Sequence, residues 1–181
     1  PPLYDRERYE RLLELCAQSY AELLDLPVGT VRTAFLKEMG QITPKVGADA
    51  AIFNQQGEIL LMERSDGSGW CLPCGWVEPN ERPVDTVLRE VREETGLEVK
   101  IQRLVGVFTR KSGGGHGLHT MIAILHLCEV TGGCLKLSHE GLALKYWQLA
   151  EVPYWHANHA RLAQAGFEMW KSGGMNEALS D

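Results

Sequence analysis

The chain has 181 residues, of which 44% are hydrophobic and 23% are charged, and its formal net charge is −6. A chain of this length can bury the core of one ordinary domain and still carry a small extension. The negative charge and the absence of a long Lys/Arg run argue against a nucleic-acid-binding surface. No apolar stretch approaches the roughly 18 residues of a membrane span, and no signal-peptide pattern opens the chain. We therefore expect a cytoplasmic protein that binds neither nucleic acid nor a membrane.

The cysteines do not suggest a disulfide framework, because their number is odd and they are scattered through apolar segments. They are Cys16, Cys71, Cys74, Cys128 and Cys134. The segment from Cys71 to Cys74 is a single C-x-x-C, which could be redox-active or half of a zinc site. No second C-x-x-C follows, and the spacing of the last two cysteines is wrong for zinc. We interpret all five as packing residues.

An apolar stripe at helical spacing lies near the start of the chain. Its members are Tyr9, Leu12, Leu13, Cys16, Tyr20, Leu23 and Leu24. The polar face has mixed charge, which favours packing over a membrane surface. Residues 1–42 are therefore predicted to form a helical appendage. Because this appendage is too small to hold a core alone, we expect the stripe to dock, at or near the interface of a homodimer.

The pattern becomes strand-like from Lys45 onward. A turn signal at 55–57 predicts that two strands, 46–53 and 59–63, form a hairpin. Further strands are predicted at 98–109, 119–130 and 142–149, and a closing helix at 156–170. Strands on both sides of a central helix indicate an α+β or α/β/α sandwich over residues 43–172. The last residues, 173–181, are predicted to be a flexible tail.

The most specific pattern lies in residues 75–97. Gly75 is followed after five residues by Glu81, and after seven more by the run Arg89-Glu90-Val91-Arg92-Glu93-Glu94-Thr95-Gly96-Leu97. Seven residue identities at these set spacings, each expected with a frequency of about 7% from average amino-acid composition, would coincide by chance on the order of once in a hundred million windows. Pro83 suits the first turn of a helix and Gly96 suits the position after its end. A helix of about three turns is predicted between them.

The acidic residues of this helix point to a metal site. Glu90, Glu93 and Glu94 stand at i, i+3 and i+4, which places three carboxylates on one flank. Two of them lie in the last turn, where the helix dipole disfavours negative charge, and carboxylates about 4 Å apart repel by about 1 kcal/mol in water. A solvated helix face is the alternative interpretation. A divalent cation would relieve both costs, and oxygen ligands favour Mg²⁺ or Mn²⁺.

The segment resembles the Nudix box, and the order of elements over residues 43–172 resembles the Nudix domain. With its helical extension, the chain is similar to the branch that hydrolyses ADP-ribose, CDP-choline and UDP-linked compounds. The resemblance implies an α+β fold, a Nudix-type α/β/α sandwich with a mixed sheet, preceded by a small helical domain. Two residues depart from the pattern: Cys74 stands where many relatives have Gly, and Arg82 replaces a small helix-capping residue.

The resemblance also implies roles for the box residues. Glu90 and Glu94, with the Gly75 carbonyl, would bind the metal, and Glu93 would be a ligand or the general base. Arg89 would orient the carboxylates, with Glu81 as its ion-pair partner or an outer metal ligand. A purely structural salt bridge is the alternative for this last pair.

Residues outside the helix complete the candidate site. Glu140, just before a predicted strand, is an alternative general base. Phosphates could bind at strand ends and loops, and aromatic rings could stack on a base, although core packing is as plausible for Phe108. The candidate substrate-binding residues are Arg64, Trp76, Phe108, Arg110, Lys111 and His116.

The sequence therefore indicates a metal-dependent hydrolase of a nucleoside diphosphate linked to a moiety X, which yields a nucleoside monophosphate and X-phosphate. Two alternatives stay open. One is a house-cleaning pyrophosphatase of nucleoside triphosphates, since the box sets the reaction and not the substrate. The other is a sensor that binds a nucleotide without cutting it, although a sensor has no need for the complete set of acids.

Overall fold

The computed structural model describes residues 3–38, 43–112 and 119–181. The chain divides into two compact units between Thr43 and Pro44. In the first unit the described helices are α1 (Leu3–Leu24) and α2 (Val28–Glu38). Among the described residues, no helix combines the length and the hydropathy that crossing a bilayer requires.

A narrow apolar seam joins α1 and α2. Ala17, Ala21 and Val31 are buried in it, and the rings of Tyr20 and Phe35 meet edge to face with centroids 5.1 Å apart. Alanine has a small side chain, so the two helices can approach closely and need only a narrow contact.

The seam differs from the stripe that the sequence predicts. Tyr9, Leu12 and Leu23 belong to the stripe, yet their exposed fractions are 61%, 58% and 64%. Tyr20 is a member of the stripe that does contact α2, but these three exposed residues do not hold α1 and α2 together. The docking of the stripe against another surface stays a prediction.

Within its described residues, the second unit contains two α-helices, a short 3-10 helix (Leu149–Glu151) and a set of strands. The α-helices are α3 (Pro83–Thr95) and α4 (His159–Lys171). The strands are β1 (Lys45–Ile52), β2 (Ile59–Arg64), β3 (Trp70–Cys71), β4 (Cys74–Trp76), β5 (Leu97–Arg110), β6 (Met121–Gly133), β7 (Gly141–Trp147) and β8 (Leu179–Ser180). These bounds confirm the predicted central helix, the closing helix and the predicted strands to within a few residues.

The strands form two sheets. The larger sheet has the order β4-β1-β6-β5-β8, with β1 parallel to β6 and β5 antiparallel to β6, so it is mixed. The smaller sheet has the order β3-β2-β7 and is antiparallel.

The predicted hairpin of β1 and β2 is wrong. The turn between them forms, since the Asn54 side chain accepts the Gln56 and Glu58 N–H groups at 3.0 Å. The two strands then enter different sheets and share only an isolated bridge between Phe53 and Ile59. Most residues on both faces of β1 are buried. This burial is typical of a strand inside a sheet that is covered on both faces.

Alternate residues of β1 face opposite layers, as the period of a strand requires. Ala48 and Ala50 lie in a buried cluster with Val87 of α3. Ala51 lies in a second cluster with Leu162 of α4. One helix therefore covers each side of the sheets, which confirms the α/β/α sandwich.

The last residues do not form the free tail that the sequence predicts. β8 adds to the edge of the larger sheet, with Gly106 opposite Leu179. Asp181 accepts the Thr109 N–H at 2.7 Å and forms an ion pair with Arg161. The backbone pairing of β8 and the side chain of Asp181 therefore hold this segment against the domain.

Candidate active site

The box helix α3 has the ends that its sequence predicts. Pro83 stands in the first turn, and Gly96 ends the helix in the left-handed conformation with φ 71°. Arg82 makes no side-chain cap. Its guanidinium instead donates to Asp85 at 2.6 and 2.7 Å, so an exposed ion pair stands where most helices have a cap.

The inward face of α3 carries a carboxylate. Val87 and Val91 are buried, whereas Leu88 is 40% exposed. Glu94 turns inward and is 4% exposed. Its Oε2 accepts the Cys74 N–H at 2.9 Å. The helix thereby directs a charged group towards β4.

The protein alone does not hold this carboxylate ionised. Burial raises the pKa of Glu94 to about 9, and the nearby Cys71, Glu90 and Glu140 groups raise it further. Burial also raises the pKa of Glu90, although Arg89 opposes that shift. No positively charged side chain offsets the burial of Glu94 as Arg89 does for Glu90, and a divalent cation would supply that charge.

Arg89 lies among the box carboxylates. It donates two hydrogen bonds of 2.9 Å to Glu81, one of 2.6 Å to Glu90 and a longer one of 3.4 Å to Glu93. The Arg89 hydrogen bonds lower the pKa of Glu81 to about 2. The bidentate Arg89–Glu81 pair is half-buried and fixes the direction of the guanidinium. Arg89 therefore contacts Glu90 while Glu81 fixes its guanidinium.

Gly75 packs so closely against the Glu90 side chain of α3 that a larger residue could not fit without moving it. It lies on β4 opposite Ala48 of β1. A β-carbon built at position 75 would overlap the carboxylate of Glu90. Any larger residue would displace this carboxylate, so the close approach of Glu90 to the β4 backbone depends on glycine.

The residues of the predicted metal site fit a hard cation. Glu90, Glu93 and Glu94 line one cleft with Gly75, and oxygen donors of this kind suit Mg²⁺ or Mn²⁺. The carboxylates do not yet converge on one point. Across residues 3–38, 43–112 and 119–181, the only trio of possible ligand side chains with donor atoms within 4.8 Å of one another is a different one, Asp49, Cys74 and His159, of which the last two line the cleft.

The cleft has a volume of about 440 Å³ and is also lined by basic side chains. Arg64 reaches it from β2 and is paired with Asp66 at 2.9 Å. Arg110 reaches it from the end of β5, and its buried Nε has no hydrogen-bond partner among the described residues. Glu140 and His156 line the same cleft. Acidic and basic groups thus share one concave surface.

The remaining predicted substrate residues have different positions. Trp76 lines the cleft with 49% of its surface exposed, so its ring is available for stacking. Phe108 was a wrong choice, because its face of β5 points into the core and leaves it 1% exposed. Lys111 follows β5, is exposed and is not part of the cleft lining. His116 lies outside the described residues.

Sequence reasoning missed Asp49. This residue of β1 is 1% exposed, and neither of its oxygens has a hydrogen-bond partner within the described chain. Burial raises its pKa to about 7, while Arg110 and the Cys74 thiol favour the ionised form. The Cys74 thiol lies close enough to favour the ionised form of Asp49, but its position does not satisfy the geometric criteria for a hydrogen bond. A lone Asp in an otherwise apolar strand was the available signal.

His159, at the start of α4, was also missed. It is buried, and its Nδ1 accepts the Leu72 N–H at 3.2 Å while lying 3.9 Å from Asp49 Oδ1. Burial lowers its pKa to about 3, and the charges of Arg110 and nearby groups add to this effect. The ring is therefore neutral near pH 7.

A family model described as the NUDIX domain matches residues 43–166. The chain belongs to the Nudix family. An ADP-ribose pyrophosphatase of Methanocaldococcus jannaschii is 30% identical to this Nudix chain over 133 residues, which cover 72% of the chain and 76% of that protein. The protein YjhB of Bacillus subtilis is 33% identical over 105 residues, 58% of the chain. The match spans only 50% of the length of that protein.

A solved UDP-X diphosphatase has the same fold as this Nudix chain. Its TM-score is 0.69 at 22% identity, and the match covers 98% of this chain and 87% of that one. The match thus extends over the N-terminal helices as well as the Nudix domain. This confirms the fold class.

Proposed function

We propose that this Nudix chain is a divalent-metal-dependent pyrophosphohydrolase. It cleaves the diphosphate bridge of a nucleoside diphosphate linked to a moiety X, such as ADP-ribose, into a nucleoside monophosphate and X-phosphate. The observation that carries the proposal is one cleft lined both by the α3 carboxylates and by Arg64 and Arg110. Carboxylates suit a cation, arginines suit phosphate oxygens, and a metal-bound diphosphate needs both.

Glu90, Glu93 and Glu94, with the Gly75 carbonyl, would hold Mg²⁺ or Mn²⁺. Such a cation neutralises phosphate oxygens and lowers the pKa of the attacking water. Arg89 is a positioning residue, because it contacts Glu90 and is itself fixed by Glu81.

Two carboxylates are candidates for accepting the proton of the attacking water. The side chains of Glu93 and Glu140 are 57% and 61% exposed, so water reaches both. Glu93 is partly engaged by Arg89 at 3.4 Å. Within the described residues, the only ion-pair contact of the Glu140 side chain is a distant one of 3.9 Å with His139, which supports Glu140 as the base. Glu140→Gln should then remove the acidic limb of the pH–rate profile, whereas Glu93→Gln should weaken metal activation.

The substrate is positioned by the basic residues and an aromatic ring. Arg110 has a buried donor with no partner in the described part of the chain, and a phosphate oxygen would satisfy it. Trp76 is half-exposed at the edge of the cleft, and its ring can stack on a nucleobase. ADP-ribose is the first substrate to test, because an ADP-ribose pyrophosphatase is among the similar proteins.

The alternatives are a triphosphate pyrophosphatase and a nucleotide sensor. Glu90, Glu93 and Glu94 all line the cleft, and a sensor would not need all of these acids. A panel of ADP-ribose, CDP-choline, UDP-sugars, NADH, diadenosine polyphosphates and nucleoside triphosphates, with Mg²⁺ and with Mn²⁺, separates these functions. We expect the highest kcat/KM on a nucleoside diphosphate-X compound. Preference for triphosphates, or tight binding without turnover of any compound, would contradict the proposal.

A further inference from the structure

We propose that Asp49, Cys74 and His159 form a second metal site in the inner wall of the cleft, one that binds a transition-metal cation of the zinc type. This site is separate from the α3 carboxylates, and its existence does not depend on the reaction that the protein catalyses.

Three elements bring the donors together. Asp49 of β1 and Cys74 of β4 are direct partners in the antiparallel pairing of these strands, and His159 opens α4. One donor atom from each residue lies within 4.8 Å of the others. Bonds of about 2.0 to 2.3 Å in a tetrahedral zinc site place donors about 3.5 Å apart. Small side-chain rotations would therefore close the site around a cation.

The unpartnered carboxylate of Asp49 is an independent observation that points to a ligand. The residue is 1% exposed, and neither oxygen accepts a hydrogen bond within the described chain. A buried carboxylate without partners is costly, and such groups are normally paired or bound to metal. A cation held between Asp49, Cys74 and His159 supplies the missing partner.

The donor set selects the kind of metal. One sulfur, one nitrogen and one oxygen suit Zn²⁺ and similar cations, whereas Mg²⁺ prefers oxygen alone. His159 is neutral, which is the form of imidazole that binds metals. Its hydrogen bond from the Leu72 N–H would be exchanged for the metal bond.

The residues around the site give a cation access to it from the cleft. Charged groups near the site both favour and disfavour cation binding. Cys74 and His159 both line the cleft, so a cation can reach them from solvent. The Asp49 carboxylate lies beside the Cys74 thiol and the His159 ring, and its negative charge, when ionised, attracts a cation. The positive charge of Arg110 interacts with Asp49 and therefore disfavours a second cation beside that carboxylate. The site should therefore bind metal without the very high affinity of a four-ligand zinc centre.

Cobalt(II) tests the site, because thiolate-bound Co²⁺ has a charge-transfer absorption that Mg²⁺ sites cannot produce. The chelator-treated full chain is titrated with Co²⁺. We expect this absorption to saturate at about one equivalent, to disappear on addition of Zn²⁺ and to persist in excess Mg²⁺. Cys74→Ser should abolish it, and Asp49→Asn should weaken Co²⁺ binding about tenfold or more. Cys134→Ser, at an exposed thiol, should leave it unchanged.

Other outcomes would overturn the proposal. These are the absence of the absorption in the wild type, its persistence in Cys74→Ser, or its loss only in Cys134→Ser. If Cys74→Ser does not fold, Asp49→Asn decides, and unchanged Co²⁺ affinity in that variant overturns the site. Glu93→Gln should keep the absorption while losing Mg²⁺-dependent turnover. The second site and the proposed reaction can therefore fail independently.

Discussion

Gly75 and Glu90 fit against each other so closely that a β-carbon at position 75 would overlap the Glu90 carboxylate. The fit places a carboxylate of α3 directly on the backbone of β4. Because the same backbone offers the Gly75 carbonyl, one contact brings two of the proposed metal ligands together.

Gly75→Ala should lower Mg²⁺-dependent turnover by a factor of about ten to a hundred, because Glu90 must move and small displacements in an active site have effects of this size. Steady-state kinetics over a range of Mg²⁺ concentrations measures the effect. Gly29→Ala is the control, since nothing lies within 4 Å of its added methyl group. Equal turnover in the two variants would show that Glu90 is not a ligand.

Glu94→Gln should lower turnover about a hundredfold or more yet fold normally, and it should raise the stability of the metal-free protein. The physical reason is that it removes a buried carboxyl group whose ionised form is unfavourable. Turnover and chemical denaturation in the presence of a chelator measure the two effects. Glu22→Gln, at an exposed acid of α1, is the matched control. Near-normal turnover of Glu94→Gln would remove this residue from the metal site.

The stability of the metal-free protein should fall with rising pH. The ordinary pKa of Glu94 is 4.5, and burial raises it to about 9. The folded state therefore keeps a proton that the unfolded chain releases. The contribution of Glu94 to stability is fully present below pH 4.5 and is lost as the pH rises through about 9. Denaturation curves at several pH values should show this slope in the wild type, and a slope unchanged by Glu94→Gln would contradict it.

Arg110→Gln should raise the KM for the nucleotide about tenfold or more, because Arg110 lines the cleft and its buried Nε has no partner among the residues that the structure describes. The neighbouring variant Lys111→Gln is the control, since Lys111 is exposed and does not line the cleft. Initial-rate measurements give both constants. A similar KM in the two variants would argue that phosphate is held elsewhere.

The exposed apolar residues of α1 should mediate a homodimer. Light scattering at micromolar concentration should give the mass of two chains for the wild type. The double variant Leu12→Glu with Leu23→Glu should shift it towards one chain, because it places charge on the apolar surface. Leu135→Glu, at an exposed leucine of the second unit, should not. A wild-type monomer would count against the dimer, and docking within the chain would then be the remaining explanation for the stripe.

Local patterns predicted the box helix closely. The Pro83 and Gly96 signals and the fixed spacing of the acids are properties of one short segment, so no distant contact is needed to place them. The positions of the longer strands could be predicted for the same reason, because strand patterns are also local in the sequence. Strand pairing was not: β1 pairs with β6, which is far along the chain, rather than with the adjacent β2.

The missed site residues show a similar limit. Asp49 and His159 come from distant parts of the sequence and meet only because β1 and α4 pack together. Phe108 shows that alternation along a strand identifies two faces without saying which one is buried. Contacts that depend on tertiary packing were therefore beyond the sequence patterns.

Hydrolysis of ADP-ribose in oxygen-18 water with Mg²⁺ tests the central claim most directly. Water attacks phosphorus if the cleft acts on a diphosphate, since the metal site is matched to phosphoryl oxygens. Mass spectrometry should therefore find AMP and ribose 5-phosphate, with the label in the phosphate of one of them, and this activity should vanish with Glu94→Gln. Label in free ribose, an intact diphosphate, or binding without any cleavage would contradict the account.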